Sequence, residues 1–249
     1  LYNNTISRTY RPVYLFEDWR MNGCNAWNAA GVCTAKENWS ASQGLSWNTS
    51  GVEMYNNIIS SRPLSDSNDL AGGAYQRAYS LRVEGAKNEP NGPYVDANSM
   101  LKGFDYNAYY RNDTRDVNLS VWDFESVPGK TDTVLKSVAE ISSSSKLSGT
   151  IDGRDSHSYD TFGARAANPY FIKEAAANTD YNKSNYNLKP GSSAIGSGKA
   201  LPNDVALAID PSGVKVKPGT AVNRGALLNV KMNAAGGTTP AVEVVHIPD

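Results

Sequence analysis

The sequence predicts a mostly β chain of short strands, and three observations lead there. Patterns at helical spacing are scarce. Apolar residues come instead in brief runs: Val13 to Phe16, Val52 to Tyr55, Ile58 and Ile59, Leu81 and Val83, Tyr170 to Ile172. Between these runs lie Asn, Gly, Ser, Asp and Pro, which suit turns joining short strands. Asparagine also recurs at the run ends, in "LYNNTIS" at 1 to 7, "MYNNIIS" at 54 to 60 and "DYNAYYR" at 105 to 111. The first two share an aromatic, two asparagines and a β-branched pair before Ser, a degenerate internal repeat. In the stacked coils of a parallel solenoid, an Asn at a tight corner tolerates left-handed backbone and hydrogen-bonds to its equivalents above and below. Hairpin turns in a β-sandwich account for Asn-Asn as well.

One helix is expected. In "KTDTVLKSVAEISS", residues 130 to 143, Val134, Leu135, Val138 and Ile141 recur at helical spacing after a cap at Thr131 or Asp132.

Composition bounds the function. A chain of 249 residues that is 40% hydrophobic holds enough apolar material for a sizeable core. The 24 basic and 25 acidic residues nearly cancel, so there is no electrostatic footprint for nucleic acid or an anionic membrane. No run approaches the roughly 18 apolar residues of a membrane span, and no charged-then-apolar leader opens the chain. Because the chain begins at Leu1, a processed mature form or a piece of a longer protein is expected. Cys24 and Cys33 lie in "CNAWNAAGVC" with no His beside them and no second pair, which argues against metal-ligand spacing. A local disulfide is the natural reading and favours secretion; two reduced, buried cysteines in a cytosolic protein are the alternative.

The segment "NYNLKPGSSAIGSG", residues 185 to 198, reads as Asn/Asp, aromatic, x, Leu, x, Pro, x, Ser, x, Ala, Ile, x, x, Gly, met by Asn185, Tyr186, Leu188, Pro190, Ser192, Ala194, Ile195 and Gly198. It resembles the closing segment of right-handed parallel β-helix proteins, especially secreted polysaccharide lyases of the pectate lyase-like type. "FDYNAYYR", "GRDSHS" at 153 to 158, "NPYF" at 168 to 171 and "DPSGVKVKPGTAVNRGALL" at 210 to 228 resemble neighbouring segments of that family, in the expected order. Two departures stand out: Ser193 and Gly196 replace the usual Pro and Asp/Asn, and Asn223 to Leu228 replaces an acidic Gly-Ala-x-Glu ending. The resemblance implies an all-β, right-handed parallel β-helix over residues 1–230, with a Trp-rich loop insertion at about 17–50 and a linker and tail at 231–249. Leu188, Ala194 and Ile195 are expected to cover the open end of the coil, with Pro190 and the glycines breaking the edge.

The same resemblance implies a secreted or cell-surface polysaccharide lyase. Such enzymes abstract the C5 proton of a uronic acid with a Lys or Arg, while calcium or basic groups neutralise the carboxylate. The candidate catalytic residues are Arg8, Arg11 and Arg20, with Glu17 and Asp18 as calcium ligands. An ordinary surface pair of Arg11 and Glu17 is the plain alternative. Trp19, Trp27, Trp39 and Trp47, four of the five tryptophans, crowd the insertion and suit stacking on sugar rings or packing against the fold. His157, in "DSHSYD", has Asp155 or Asp160 as candidate partners for acid-base work, and a rung start is its plain reading. Glycoside hydrolysis is the second enzymatic reading. A non-catalytic surface protein or adhesin is the reading from another class, since fold does not determine function. The expected partners are a polysaccharide and either an upstream fragment of the same precursor or a second copy, because a solenoid opening in mid-coil leaves its first strand unpaired.

Overall fold

The computed structural model describes residues 1–17, 24–30, 32–36, 49–61, 79–87, 94–113, 115, 118–124, 129–163, 167–175, 181–203 and 219–226, with backbone alone at 24–27, 33, 35–36, 86–87, 94 and 181. Asp18, Trp19, Arg20, Trp39, Trp47 and the tail beyond 226 lie outside these residues, as do the side chains of Trp27, Cys24 and Cys33.

The strands are short, as the broken apolar runs predict. In chain order they are β1 (Thr5–Thr9), β2 (Val13–Phe16), β3 (Cys24–Trp27), β4 (Cys33–Lys36), β5 (Val52–Tyr55), β6 (Ile58–Ser61), β7 (Leu81–Glu84), β8 (Ala86–Lys87) and β9 (Tyr94–Val95). A four-residue helix α1 (Ala97–Met100) leads into β10 (Leu101–Asp105), β11 (Ala108–Arg111), β12 (Ser120–Asp123) and β13 (Thr133–Leu135). Helix α2 (Val138–Ser143) precedes β14 (Tyr159–Phe162), β15 (Phe171–Lys173) and β16 (Asn185–Leu188).

The expectation of one right-handed parallel β-helix is corrected by how these strands pair. They form six separate sheets: β1-β6-β11-β14, β13-β12-β7-β2, β10-β5, β15-β16, β3-β4 and β8-β9. None closes, and no single coil runs through the described chain. The first sheet is parallel throughout, but β12 pairs antiparallel with β13, and β3-β4, β8-β9 and β15-β16 are antiparallel pairs. Short apolar runs with Asn at their ends report strands and turns locally, and several small sheets meet that pattern as well as one solenoid does.

The expected helix is also shorter than its pattern. Thr133–Leu135 is strand, with Val121 opposite Val134 in the ladder. The helix starts only after Ser137, whose Oγ accepts from the Glu140 N–H at 3.1 Å, while Glu140 Oε2 accepts from the Lys136 N–H at 2.6 Å. This near-capping box outcompetes Thr131 and Asp132. Asp132 instead accepts from the Phe124 N–H at 2.8 Å.

Two apolar clusters sandwich the parallel sheet, because alternate residues of a strand face opposite sides. Ile59 and Tyr109 join the larger core with Met54, Leu81, Phe104 and Trp122, while Ile58, Ala108 and Tyr110 point the other way. On that second face they meet Tyr170, Phe171, Leu188 and Ala194, with Ile195 partly buried against them. The formula at 185 to 198 therefore covers a sheet face rather than the end of a coil.

Corners of the sheet follow a repeat. Asn3, Asn56 and Tyr106 have φ of 52°, 61° and 55°. Asn tolerates this left-handed region; a tyrosine there is uncommon. After each comes the Asn that builds a ladder: Asn4 donates its N–H and Nδ2 to Asn57 Oδ1 at 2.9 and 3.0 Å, and Asn57 donates likewise to Asn107 Oδ1 at 3.1 and 2.8 Å. Asn107 Nδ2 ends the row on Asp155 Oδ1 at 3.1 Å.

Candidate functional site

One cleft of about 450 Å³ gathers groups from five parts of the chain: Tyr2, Glu53 and Tyr55 around β5, Lys102 on β10, Asp152 after α2, and Lys199 following the 185 to 198 formula. Strand register brings them together. Tyr2 bridges to Tyr55 and Gly103 to Asp152, both in parallel sense, while Gly103 pairs with Glu53 and Asp105 with Tyr55. Met54 points inward to the core, so its neighbours Glu53 and Tyr55 face outward by strand alternation. A Cβ on Gly103 would sit 2.2 Å from the Tyr55 hydroxyl, so only glycine leaves room for it there.

The polar groups hold one another. The Tyr55 hydroxyl donates to Asp152 Oδ2 at 2.7 Å, and Lys199 Nζ reaches the same oxygen at 3.1 Å while standing 4.2 Å from the Tyr55 ring centroid. Lys102 Nζ lies 2.7 Å from Glu53 Oε1, and the Tyr2 hydroxyl donates to Glu53 Oε2. The Tyr2 and Tyr55 rings are tilted at 5.5 Å between centroids. Hydrogen bonds from Lys102 and Tyr2 hold the Glu53 carboxyl below its usual range, and those from Tyr55 and Lys199 do the same for Asp152. Burial, then the bond to Asp152, push the Tyr55 hydroxyl up; the bond to Glu53 pushes up the Lys102 ammonium. The ammonium heads remain open to a ligand, the Lys102 side chain being 70% exposed and that of Lys199 43%.

Beside the cleft sits a second cluster. Asp105, buried at the end of β10, accepts from the backbone N–H groups of Tyr106 and His157 at 2.8 and 2.7 Å, and from the Ser156 hydroxyl at 3.2 Å. Its Oδ2 also lies 2.7 Å from His157 Nδ1. Gly153 makes the approach possible: it has φ +76°, and a Cβ there would lie 2.5 Å from that of Asp105. The His157 ring stacks on Tyr106 at 4.7 Å with 8° between planes. Ser156 Oγ also lies 3.1 Å from Nδ1, the nitrogen already facing the carboxylate, so serine and aspartate do not flank the ring as a nucleophilic triad requires.

The residues singled out from sequence lie elsewhere. Arg8 is buried at the bulge of β1 with φ 62°, and Arg11 stands over the rings of Tyr10 and Tyr79. Glu17 is buried, and its carboxylate accepts from the Thr49 N–H. Its intended calcium partner Asp18 lies outside the described residues, among which no group of three or more metal-ligating side chains comes together. Backbone register sets Cys24 opposite Lys36 and Cys33 opposite Trp27 in the β3-β4 hairpin. His157 is partnered by Asp105, whereas Asp155 accepts from Asn107, Tyr109 and Ser158, and Asp160 binds Arg111. Of the cleft residues, only Tyr2 and Tyr55 carried a signal, as the shared aromatic of the repeat.

Among the described residues no helix is long and apolar enough to cross a membrane. Comparison with protein-family models, with curated proteins and with solved structures finds no match for this chain.

Proposed function

We propose that this chain is an extracellular carbohydrate-active protein that holds an acidic polysaccharide in the Tyr2–Lys199 cleft and cleaves it by β-elimination. The observation that carries the reading is the pair of exposed ammonium groups, Lys102 and Lys199, fixed by Glu53 and Asp152 beside two tyrosines. Preset donors and acceptors suit sugar hydroxyls without reordering on binding, and the ammonium heads suit a uronate carboxylate, whose neutralisation acidifies the C5 proton. The carboxylate pair does not support glycoside hydrolysis, because that reaction needs one carboxyl kept protonated and both Glu53 and Asp152 are pushed the other way.

Binding without cleavage is the second reading. It is favoured by the weak proton-accepting power of the described cleft groups: lowered carboxyls are poor bases, and Lys102 is held in its charged form. Affinity electrophoresis against pectate, alginate, hyaluronan and neutral dextran tests the cleft. Retardation by an acidic polymer and not by dextran is expected, weakened about tenfold by Lys199→Ala, the scale of one lost charge-assisted hydrogen bond. No retardation by any acidic polymer, or retardation indifferent to Lys199→Ala, overturns the assignment. Ultraviolet absorbance of the unsaturated product then separates the two readings.

A further inference from the structure

The geometry points to His157 as the general base of this chain, taking the C5 proton of a uronate held in the adjacent cleft through Nε2, with Asp105 as the positioning residue; this rests on the lyase reading above. Among the described residues, the cleft lining offers cations and hydrogen bonds but no good proton acceptor, so the elimination draws on one from beside it. Imidazole is the side chain whose ordinary titration range brackets neutral pH.

Three features prepare this ring. An ionised carboxylate only accepts, so a neutral imidazole facing Asp105 Oδ2 at 2.7 Å carries its proton on Nδ1 and offers its Nε2 lone pair to a substrate. Asp105 is itself held by the backbone N–H groups of Tyr106 and His157 and by the Ser156 hydroxyl and is 3% exposed, so its place does not depend on the imidazole. The imidazole is 59% exposed and stacked flat on Tyr106, which fixes the ring plane while leaving its outer edge accessible.

Position relative to the cleft follows from shared partners. The turn that leaves the cleft at Asp152 wraps Asp105, with Gly153 against its carboxylate, and ends at His157. On the other side, Arg224 Nη2 donates both to the His157 carbonyl at 2.8 Å and to the Ser197 carbonyl at 3.1 Å, two residues before Lys199. The base and the ammonium that would neutralise the uronate are thus tied to one guanidinium.

The step balances without any other reagent than solvent. Nε2 takes the C5 proton, the C5–H electron pair becomes the C4=C5 double bond, and the C4–O4 bond breaks with its pair going to O4. Water protonates O4, and the resulting hydroxide is neutralised by the proton that imidazolium returns to solvent.

The test uses the whole chain with pectate, alginate and hyaluronan, following unsaturated product and, separately, polymer binding by affinity electrophoresis. His157→Ala and His157→Gln, the latter keeping an amide donor toward Asp105, are both expected to lower kcat by about 100-fold or more, the scale of general-base catalysis. KM and retardation should stay within twofold, and added imidazole should restore part of the rate to His157→Ala but none to the parent chain. Asp105→Asn should lower kcat with KM unchanged. Parent-like kcat in both His157 variants overturns the base assignment and leaves the lyase reading standing; loss of binding together with kcat in both also overturns it. Binding by the parent chain with no elimination on any of the three polymers overturns both.

Discussion

Asn57 gives both its backbone N–H and its Nδ2 to one acceptor, Asn107 Oδ1, at 3.1 and 2.8 Å, across 50 residues of chain. At the same time its own Oδ1 receives the N–H and Nδ2 of Asn4. An amide carries a two-lone-pair acceptor and a two-hydrogen donor group, so a row of them satisfies backbone and side chains together where a hydroxyl or carboxylate cannot. The row runs inside the fold, Asn57 being 1% exposed and Asn107 0%.

Asn57→Ala is therefore expected to be costly. It removes the acceptor of both Asn4 groups and one of the two donors to Asn107 Oδ1, the backbone N–H remaining, for a loss on the order of 3 kcal/mol. A shift of the urea midpoint at constant slope measures it. Asn112→Ala, whose amide donates to Ser60 Oγ at 2.8 Å, should cost less, since it stands outside the row.

Arg224 is the second stability test. It is 1% exposed, donates to Ser197 Oγ, Asn107 O, His157 O and Ser197 O at 2.8 to 3.1 Å, and lies 4.0 Å from the Tyr159 ring centroid. Burial lowers the guanidinium pKa from its ordinary value, yet the planar fork matches these carbonyls. Arg224→Ala should destabilise by about 3 kcal/mol or more, and Arg224→Lys should not restore it, because a point-charge ammonium does not span the same acceptors. Thermal melts of the two variants side by side check this.

Arg111 and Asp160 form a buried bidentate pair, Nε to Oδ1 at 3.0 Å and Nη2 to Oδ2 at 2.5 Å, with side chains 1% and 6% exposed. Removing one partner strands the other charge. Asp160→Ala should cost about 3 to 5 kcal/mol, whereas the double change Arg111→Met with Asp160→Leu should cost clearly less, because it also removes the desolvation penalty. A double-mutant cycle by chemical denaturation decides it.

Asp155 sets a pH dependence. Burial pushes its carboxyl up from 3.8 to about 6, against the hydrogen bonds from Ser158, Asn107 and Tyr109 that favour its ionised form. A raised folded-state value means that the fold binds more protons than the unfolded chain between those limits, so this contribution to stability is present below about pH 4 and lost as pH rises to about 6. Glu53 and Asp152, whose values are lowered, act in the opposite sense and only as pH falls through the acid range. Asp155→Asn should flatten the melting temperature between pH 4 and 6 relative to the parent chain, while leaving the acid limb that Glu53 and Asp152 govern.

Much of the local structure was legible from the chain alone. Strands β2 and β5 begin and end where the apolar runs at 13 to 16 and 52 to 55 do, because turn-forming residues bound them. A left-handed corner within each Asn pair, Asn3-Asn4 and Asn56-Asn57, follows from the tolerance of asparagine for that backbone, and the structure puts it at the first Asn of each. Tertiary structure decided what local pattern leaves open. Val134 and Leu135 fit a helical spacing, yet pairing with β12 makes them strand. Tyr106 takes the left-handed place that Asn3 and Asn56 hold, because Asp105 stands opposite Tyr55 in the ladder. Which strands share a sheet is likewise invisible locally, since hydrogen-bond partners in a sheet are set by long-range register rather than by the run itself. The site shows this most sharply. His157 takes Asp105, 52 residues back, rather than its near neighbours Asp155 and Asp160, and the cleft draws Tyr2, Glu53, Tyr55, Lys102, Asp152 and Lys199 from across the chain. Apart from Tyr2 and Tyr55, the shared aromatic of the repeat, none of these stands out by type or spacing; they form a site only because the folded chain brings them to one cleft, and that proximity belongs to the fold.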